Sequence, residues 1–333
     1  MNDNYKNSGC EQAAGKGSPW ARALRRSRQA VLAVGMLAAG TAMADTLTYV
    51  IPFPAGGESD VTARIQEPLL KSISGKDVVI QYKAGAGGAT AWASLNKMPA
   101  DGNTIVGTNM PHIFLQPMAQ NVGYKTSDII NVYVFQLTPD AIVVPADSPY
   151  KTLKDLIEAA KAKPGAITMS GSGTNSGPHL SATTFNKLAG IKTTYVPFAG
   201  TTPAVVAMLG KQVNAAMTFT TAAIQQGDKV RMLAVALETR LESHPDVPTF
   251  KELGFDMVSG VFRGAAVPAE TPEAKRVELS NLLAKVNQDS AYRKRMQEAG
   301  YVVVDVAYKD MSAFMAKQGK EYEAAAREVG LLK

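Results

Sequence analysis

The chain has one cysteine, Cys10, and three histidines, His112, His179 and His244, in 333 residues. A single cysteine excludes an internal disulfide framework. No two of the histidines have metal-ligand spacing and no cysteine stands near to complete a set, so no metal is expected. The glycine motifs that hold nucleotides are missing too. There is no G-x-x-x-x-G-K-[ST] run, and no G-x-G-x-x-G unit with an acidic residue about 20 positions on. A G-x-S-x-G nucleophile elbow is also absent. Hydrolase, metalloenzyme and nucleotide-dependent chemistries are left without their groups, and the expectation is a protein that is not an enzyme and needs no cofactor. The apolar run from Ala30 to Ala44 is 15 residues long, short of the roughly 20 needed to span a bilayer.

That run is nonetheless organised. Arg22, Arg25, Arg26 and Arg28 precede it and Ala42-Met43-Ala44 closes it, the layout of a secretory leader cut after Ala44. Arg25-Arg26 hints at twin-arginine export, but Ser27, Arg28 and Gln29 fit that pattern poorly, so ordinary secretion to the periplasm is the reading. Of 35 basic and 29 acidic residues, six and two precede Asp45, leaving 29 and 27 and a formal charge of +2. The basicity belongs to the leader, and no nucleic-acid partner is expected. Cys10 leaves with it, so the exported chain must rest on a packed core, which its size permits.

From Asp45 the pattern alternates strand, glycine-rich turn and helix, which predicts an α/β protein with parallel sheets. Strands are expected at 47–53, 78–82 and 103–107, with a helix at 60–72 carrying Val61, Ile65 and Leu69 on one face. A second block begins near Pro145. Its first helix is capped by Thr152, striped by Leu153, Leu156, Ile157 and Ala160, and stopped by Pro164-Gly165. Strands follow at 167–169, 193–196, 215–219 and 232–237. One helix passes through Leu180 and Leu188, and another has Thr202 as its cap with Pro203 at the first position. Amphipathic helices at 272–286 and 311–329 end the chain.

Four loops share one design: 54–60, 83–90, 170–176 and 199–202. Each follows a strand, is rich in Gly, Ala, Ser or Thr, and opens a helix. Helix starts present unpaired N–H groups and partial positive charge, and glycine lets a ligand approach that backbone. In parallel sheets such loops gather at the carboxyl ends of the strands. The pattern therefore points to an anion held by amides and hydroxyls, offered by Ala55, Gly56, Gly57, Ser59, Gly87, Gly88, Ala89, Thr90, Ser172, Thr174, Asn175, Gly200, Thr201 and Thr202. Asp60 is the acidic exception and is read as the cap of its own helix. His179, at a helix start, is either a ligand group or a local hydrogen-bonder. Phe53, Phe198 and Phe219 stand at strand ends, where they line either a pocket or the core.

In order and combination, "PFPAGGESD", "KAGAGGATA", "ADGNTIVGTN", "VVPADSPYKTLKDLIEAAKAKPG", "SGSGTNSGPHL", "YVPFAGTTPAVVAMLGKQVNAAM" and "RMLAVALETRLESHPDVPTFKELGF" resemble the substrate-binding receptors of tripartite tricarboxylate transporters, the Bug family. The resemblance covers nearly all of 47–333. It implies a type II periplasmic binding protein fold: two α/β domains joined by two crossing segments with a ligand cleft between them. The leader would be 1–44, the first domain 45–144 with 265–333, and the second 145–264, the chain crossing at 142–145 and 262–268. It implies a small organic acid as ligand, one carboxylate lying at 53–60 and 83–90, with Asn109, Phe219 and Thr220 nearby. It also implies a monomer that delivers its ligand to a permease of large and small membrane subunits. Tyr82-Lys83, Asn175 and Phe262-Arg263-Gly264 depart from the family pattern. Arg263 is accordingly a candidate for a second carboxylate, and a dicarboxylate, aliphatic or aromatic, is the expected ligand. The alternatives are an exported sensor feeding a two-component system and an exported hydrolase.

Intact-mass analysis of the periplasmic fraction should find a chain that begins at Asp45. A membrane-bound species that retains Met1 contradicts the leader assignment.

Overall fold

The computed structural model describes residues 46–333; the leader, its cut after Ala44 and Cys10 lie outside them. Ten strands form a mixed sheet: β1 Thr46–Ile51, β2 Asp77–Tyr82, β3 Thr104–Met110, β4 Ile130–Pro145, β5 Thr168–Ser172, β6 Thr194–Phe198, β7 Ala215–Phe219, β8 Val230–Val235, β9 Gly260–Val267 and β10 Val302–Ala307. The helices are α1 Glu58–Ser74, α2 Ala89–Trp92, α3 His112–Ala119, α4 Leu153–Ala162, α5 Gly177–Ala189, α6 Thr201–Leu209, α7 Thr220–Gln226, α8 Glu273–Gln288, α9 Ser290–Glu298 and α10 Tyr308–Glu328. Among the described residues no helix is long and apolar enough to cross a membrane.

The sheet runs β2-β1-β3-β9-β4-β7-β5-β6, with β8 and β10 also on β4. Its two ends, β2-β1-β3 and β7-β5-β6, are parallel as expected. The middle is not: β3–β9, β4–β9, β4–β10, β4–β7 and β4–β8 are all antiparallel. The sequence reading had only parallel sheets, and the correction comes from β4. This strand of 16 residues pairs β9 and β10 through Pro139, then β7 and β8 from Asp140 on. Pro139 has no N–H for the ladder and sits where the partners change. The return passage is at Ser259, whose carbonyl accepts from Asp140 N at 3.1 Å and whose N–H donates to Ala236 O at 3.1 Å.

Both faces of the sheet are covered. On β1, Leu47, Tyr49 and Ile51 enter one core with Leu279, Leu283 and Val286 of α8, while Val50 enters another with Val106 and Trp92. The other end repeats this arrangement. Leu153, Leu156 and Ala160 of α4 pack with Met169, Phe185 and Phe250, and Val205 and Met208 of α6 pack with Ala216 and Val235. The α4 cap is as read from the sequence: Thr152 Oγ1 accepts from Asp155 N at 3.2 Å, and Asp155 Oδ2 accepts from Thr152 N at 2.8 Å.

Asp140 is buried at the change of partners, where Ser181 Oγ and Ser259 Oγ donate to its Oδ2 at 2.6 and 2.9 Å. Burial pushes its pKa up to about 6, against the pull of those hydroxyls and of the Arg263 charge. An unfolded aspartate titrates near 3.9. Between about pH 4 and 6 the folded chain therefore holds a proton that the unfolded chain has lost, so this group's contribution to stability falls as pH rises through that window. Denaturant unfolding at pH 5 and pH 7 should show Asp140→Asn losing less stability than the parent between the two, by on the order of 1 kcal/mol. Equal pH dependence of the two proteins contradicts this.

Candidate functional site

The four glycine loops follow β1, β2, β5 and β6 and meet in pairs. A Cβ built on Gly200 would stand 3.0 Å from Pro54 Cδ, and one on Gly57 3.7 Å from Thr202 Oγ1, so the first loop abuts the fourth. A Cβ on Gly173 would stand 3.3 Å from Gly87 Cα, so the second abuts the third. Gly173 has a φ of +85°, which a side chain would strain. The approach is backbone to backbone, and larger residues there would hold the loops apart.

Between the first, third and fourth loops, the ends of β3 and β7 and the middle of β9 lies a cavity of about 10 Å³, room for about one water. Phe53, Pro54, Gly57, Glu58, Ser59, Asn109, Ser172, Thr201, Thr202, Phe219 and Arg263 line it. The N-termini of α1, at Gly57, and of α6, at Gly200, both open on it. Thr202 Oγ1 is buried there without a hydrogen-bond partner. A hollow of about 940 Å³ between Phe114, Val277, Met311 and Met315 is far larger but shares no residue with the loops.

Arg263 is the one basic side chain in the cavity wall. It is 3% exposed, and β9 places it opposite Asn109 of β3 and Gln136 of β4. Its Nε donates to Thr138 Oγ1 at 3.0 Å and its Nη1 to Ser59 Oγ at 3.0 Å. With the Asn109 amide turned to face it, the Asn109 oxygen accepts from Nη1 as well. The Phe219 ring lies 5.0 Å from the guanidinium carbon. These partners are all neutral. Burial lowers the Arg263 pKa, and the Glu58 charge opposes this most, yet a guanidinium remains protonated.

Of the residues read as candidates, Phe53, Gly57, Ser59, Asn109, Ser172, Thr201, Thr202, Phe219 and Arg263 come together here. Gly56 lines an adjoining hollow of about 60 Å³. Ala55, Thr90 and Thr174 are exposed. Gly87, Gly88 and Ala89 are buried beside α2, where a Cβ on Gly88 would strike the Trp92 ring. Thr220 Oγ1 donates to Gly300 O at 2.9 Å. Asn175, at φ +51°, donates its N–H to His179 Nδ1 at 3.2 Å, and the His179 ring stacks on Tyr195 at 4.4 Å. His179 is thus a local hydrogen-bonder, its pKa lowered by burial.

Two cap assignments are corrected. Asp60 is within the first turn of α1; its Oδ2 accepts from Gly56 N at 2.7 Å, its Oδ1 accepts from Tyr82 Oη at 2.7 Å, and it pairs with Arg64. The cap position is Gly57. Likewise α6 starts at Thr201 after Gly200, whose carbonyl accepts from Ala204 N at 3.3 Å, so Thr202 is inside the helix. Glu58 and Pro54 line the cavity and were not among the candidates. An acid in a first helical turn reads as a partner for the helix dipole, and nothing local shows that Glu58 is buried.

The model of the tripartite tricarboxylate transporter family receptor matches residues 62–331, most of the chain. The protein BugT of Bordetella pertussis is 28% identical over 88% of this chain and 92% of its own. The periplasmic binding protein BugD superposes with a TM-score of 0.80 at 26% identity, over 86% of this chain and 98% of its own. An R. palustris protein solved with adipate superposes with a TM-score of 0.81 at 25% identity, over 86% and 97%. This chain belongs to the tripartite tricarboxylate transporter receptor family.

Proposed function

We propose that this protein is a periplasmic receptor that captures a small dicarboxylate, aliphatic or aromatic, and delivers it to a tripartite permease with a large and a small membrane subunit. The observation that carries the reading is Arg263: a buried cation whose hydrogen bonds all go to neutral groups, in a cavity faced by two helix N-termini. A buried charge is stabilised by an opposite charge, and helix N-termini favour an anion. One carboxylate would take amides and hydroxyls of the first and fourth loops, and the other the guanidinium, through two parallel hydrogen bonds. The R. palustris neighbour's ligand, adipate, is a dicarboxylate.

The domains we propose are 45–139 with 260–333 and 140–259, with Pro139–Asp140 and Ser259–Gly260 serving as hinges. A cavity of about 10 Å³ admits no dicarboxylate, so the loops must part for entry, and ligand then favours the closed form by contacts that the open form lacks. Delivery as a monomer after removal of the leader completes the reading.

Calorimetry with a matched diacid and monoacid tests it. Arg263→Ala should weaken the diacid by about 1.5–3 kcal/mol, the worth of a charged hydrogen bond, or roughly 10- to 150-fold, and change the monoacid little. Equal losses for the two acids would assign Arg263 to the hinge and contradict a second-carboxylate role.

A further inference from the structure

Glu58 is the acidic side chain in the wall of the same cavity, and the binding role above does not use it. It lies in the first turn of α1, is 3% exposed, and lines both the Arg263 cavity and the adjoining hollow of about 60 Å³ that runs on to Val205, Leu209 and Gln226. A ligand that reaches from one space into the other passes it. Its Oε2 is buried and has no hydrogen-bond partner among the described residues. Around it are the hydroxyls of Thr221 from α7 and Tyr301 from the turn before β10, both also buried without a partner. Arg263, from β9, is the charge that faces it. Asp60, on its own helix, is engaged instead by Gly56, Tyr82 and Arg64. Asp140 is a further charge facing Arg263, and His112, beside it, is kept neutral by burial and by the Arg263 charge. Burial raises the Glu58 pKa and the Arg263 charge opposes that rise.

The charges in this wall balance only in certain combinations. An ionised Glu58 offsets Arg263. A ligand carboxylate that enters brings a second negative charge to the same desolvated space, and two carboxylates in one site strongly raise the pKa of one of them. We propose that Glu58 is a proton-exchanging specificity residue of this site, its carboxylate taking up one proton from solvent as a ligand carboxylate enters beside Arg263, so that the neutral carboxyl then donates a hydrogen bond to the ligand. The step is balanced by one proton withdrawn from the buffer for each ligand bound. It rests on the carboxylate reading above. Its consequence is selectivity: ligands with acceptor oxygens are favoured, and capture strengthens in acidic surroundings.

Calorimetry of adipate and of four- and five-carbon dicarboxylates at pH 8, in two buffers of different ionisation enthalpy, counts the protons. These ligands are fully ionised there and supply none. The parent protein should take up close to one proton per ligand, and its affinity should fall about ten-fold per pH unit above the titration of Glu58 in the ligand-free chain. Glu58→Gln keeps the shape and a donor; it should take up none and bind equally across pH 6–8. The proton count on the parent needs no variant. Dicarboxylate binding without proton uptake, or an unchanged pH dependence in Glu58→Gln, overturns the role of Glu58 and leaves the receptor reading intact. An α-amino acid as the tightest binder, with no proton uptake, means that an ionised Glu58 meets an ammonium, and also overturns it. If no carboxylate binds at all, both readings fall.

Discussion

A guanidinium kept out of water is the constraint around which this molecule is arranged. Glu58 faces Arg263 from the same wall without bonding to it; the guanidinium's hydrogen bonds go to Thr138 and Ser59 and its flat face to Phe219. Isolated buried charge costs several kcal/mol. The central strands hold it in place: β9 lies between β3 and β4, so the backbone around Arg263 is paired on both edges. A rigid, desolvated cation hydrogen-bonded only to neutral groups is a poor way to stabilise a fold and a good way to prepare for an anion.

The remaining wall complements it. Helix starts supply partial positive charge without full charges, and neutral hydroxyls at Ser59, Ser172, Thr201 and Thr202 adapt as donor or acceptor. Such contacts are individually modest, which suits a protein that must release what it holds. The only opposing element is Glu58. His112, nearby, adds no charge: burial and Arg263 push its pKa down to about 3, and it packs as an aromatic ring edge-on to Phe53 and Trp92.

Elements whose signals are local could be read from the sequence. The Thr152 cap with its Leu153, Leu156 and Ala160 stripe, the β7 bounds and the position of the four loops all follow from neighbours a few residues apart. The strand β4 could not be read this way. Thr138-Pro139-Asp140 resembles a turn, and both faces of the strand are buried, which erases the alternation that marks a half-exposed strand. The caps at Gly57 and Gly200 were misplaced because a backbone carbonyl and a flexible glycine did what a side chain was expected to do. Nine of the eleven cavity-lining residues were candidates from the glycine loops, the strand ends or the family resemblance, and Pro54 and Glu58 were not. Glu58 escaped because its burial is created by Arg263, Thr221 and Tyr301, more than 160 positions away in the chain.

The most direct measurement is a thermal-shift screen of 45–333 against organic acids, sugars and cationic amines at one pH. Dicarboxylates should raise the melting temperature with the logarithm of their concentration over Kd, by the equivalent of about 2.7 kcal/mol at a hundred-fold excess over Kd. Stabilisation by a sugar or an amine, with no organic acid effective, would contradict the account.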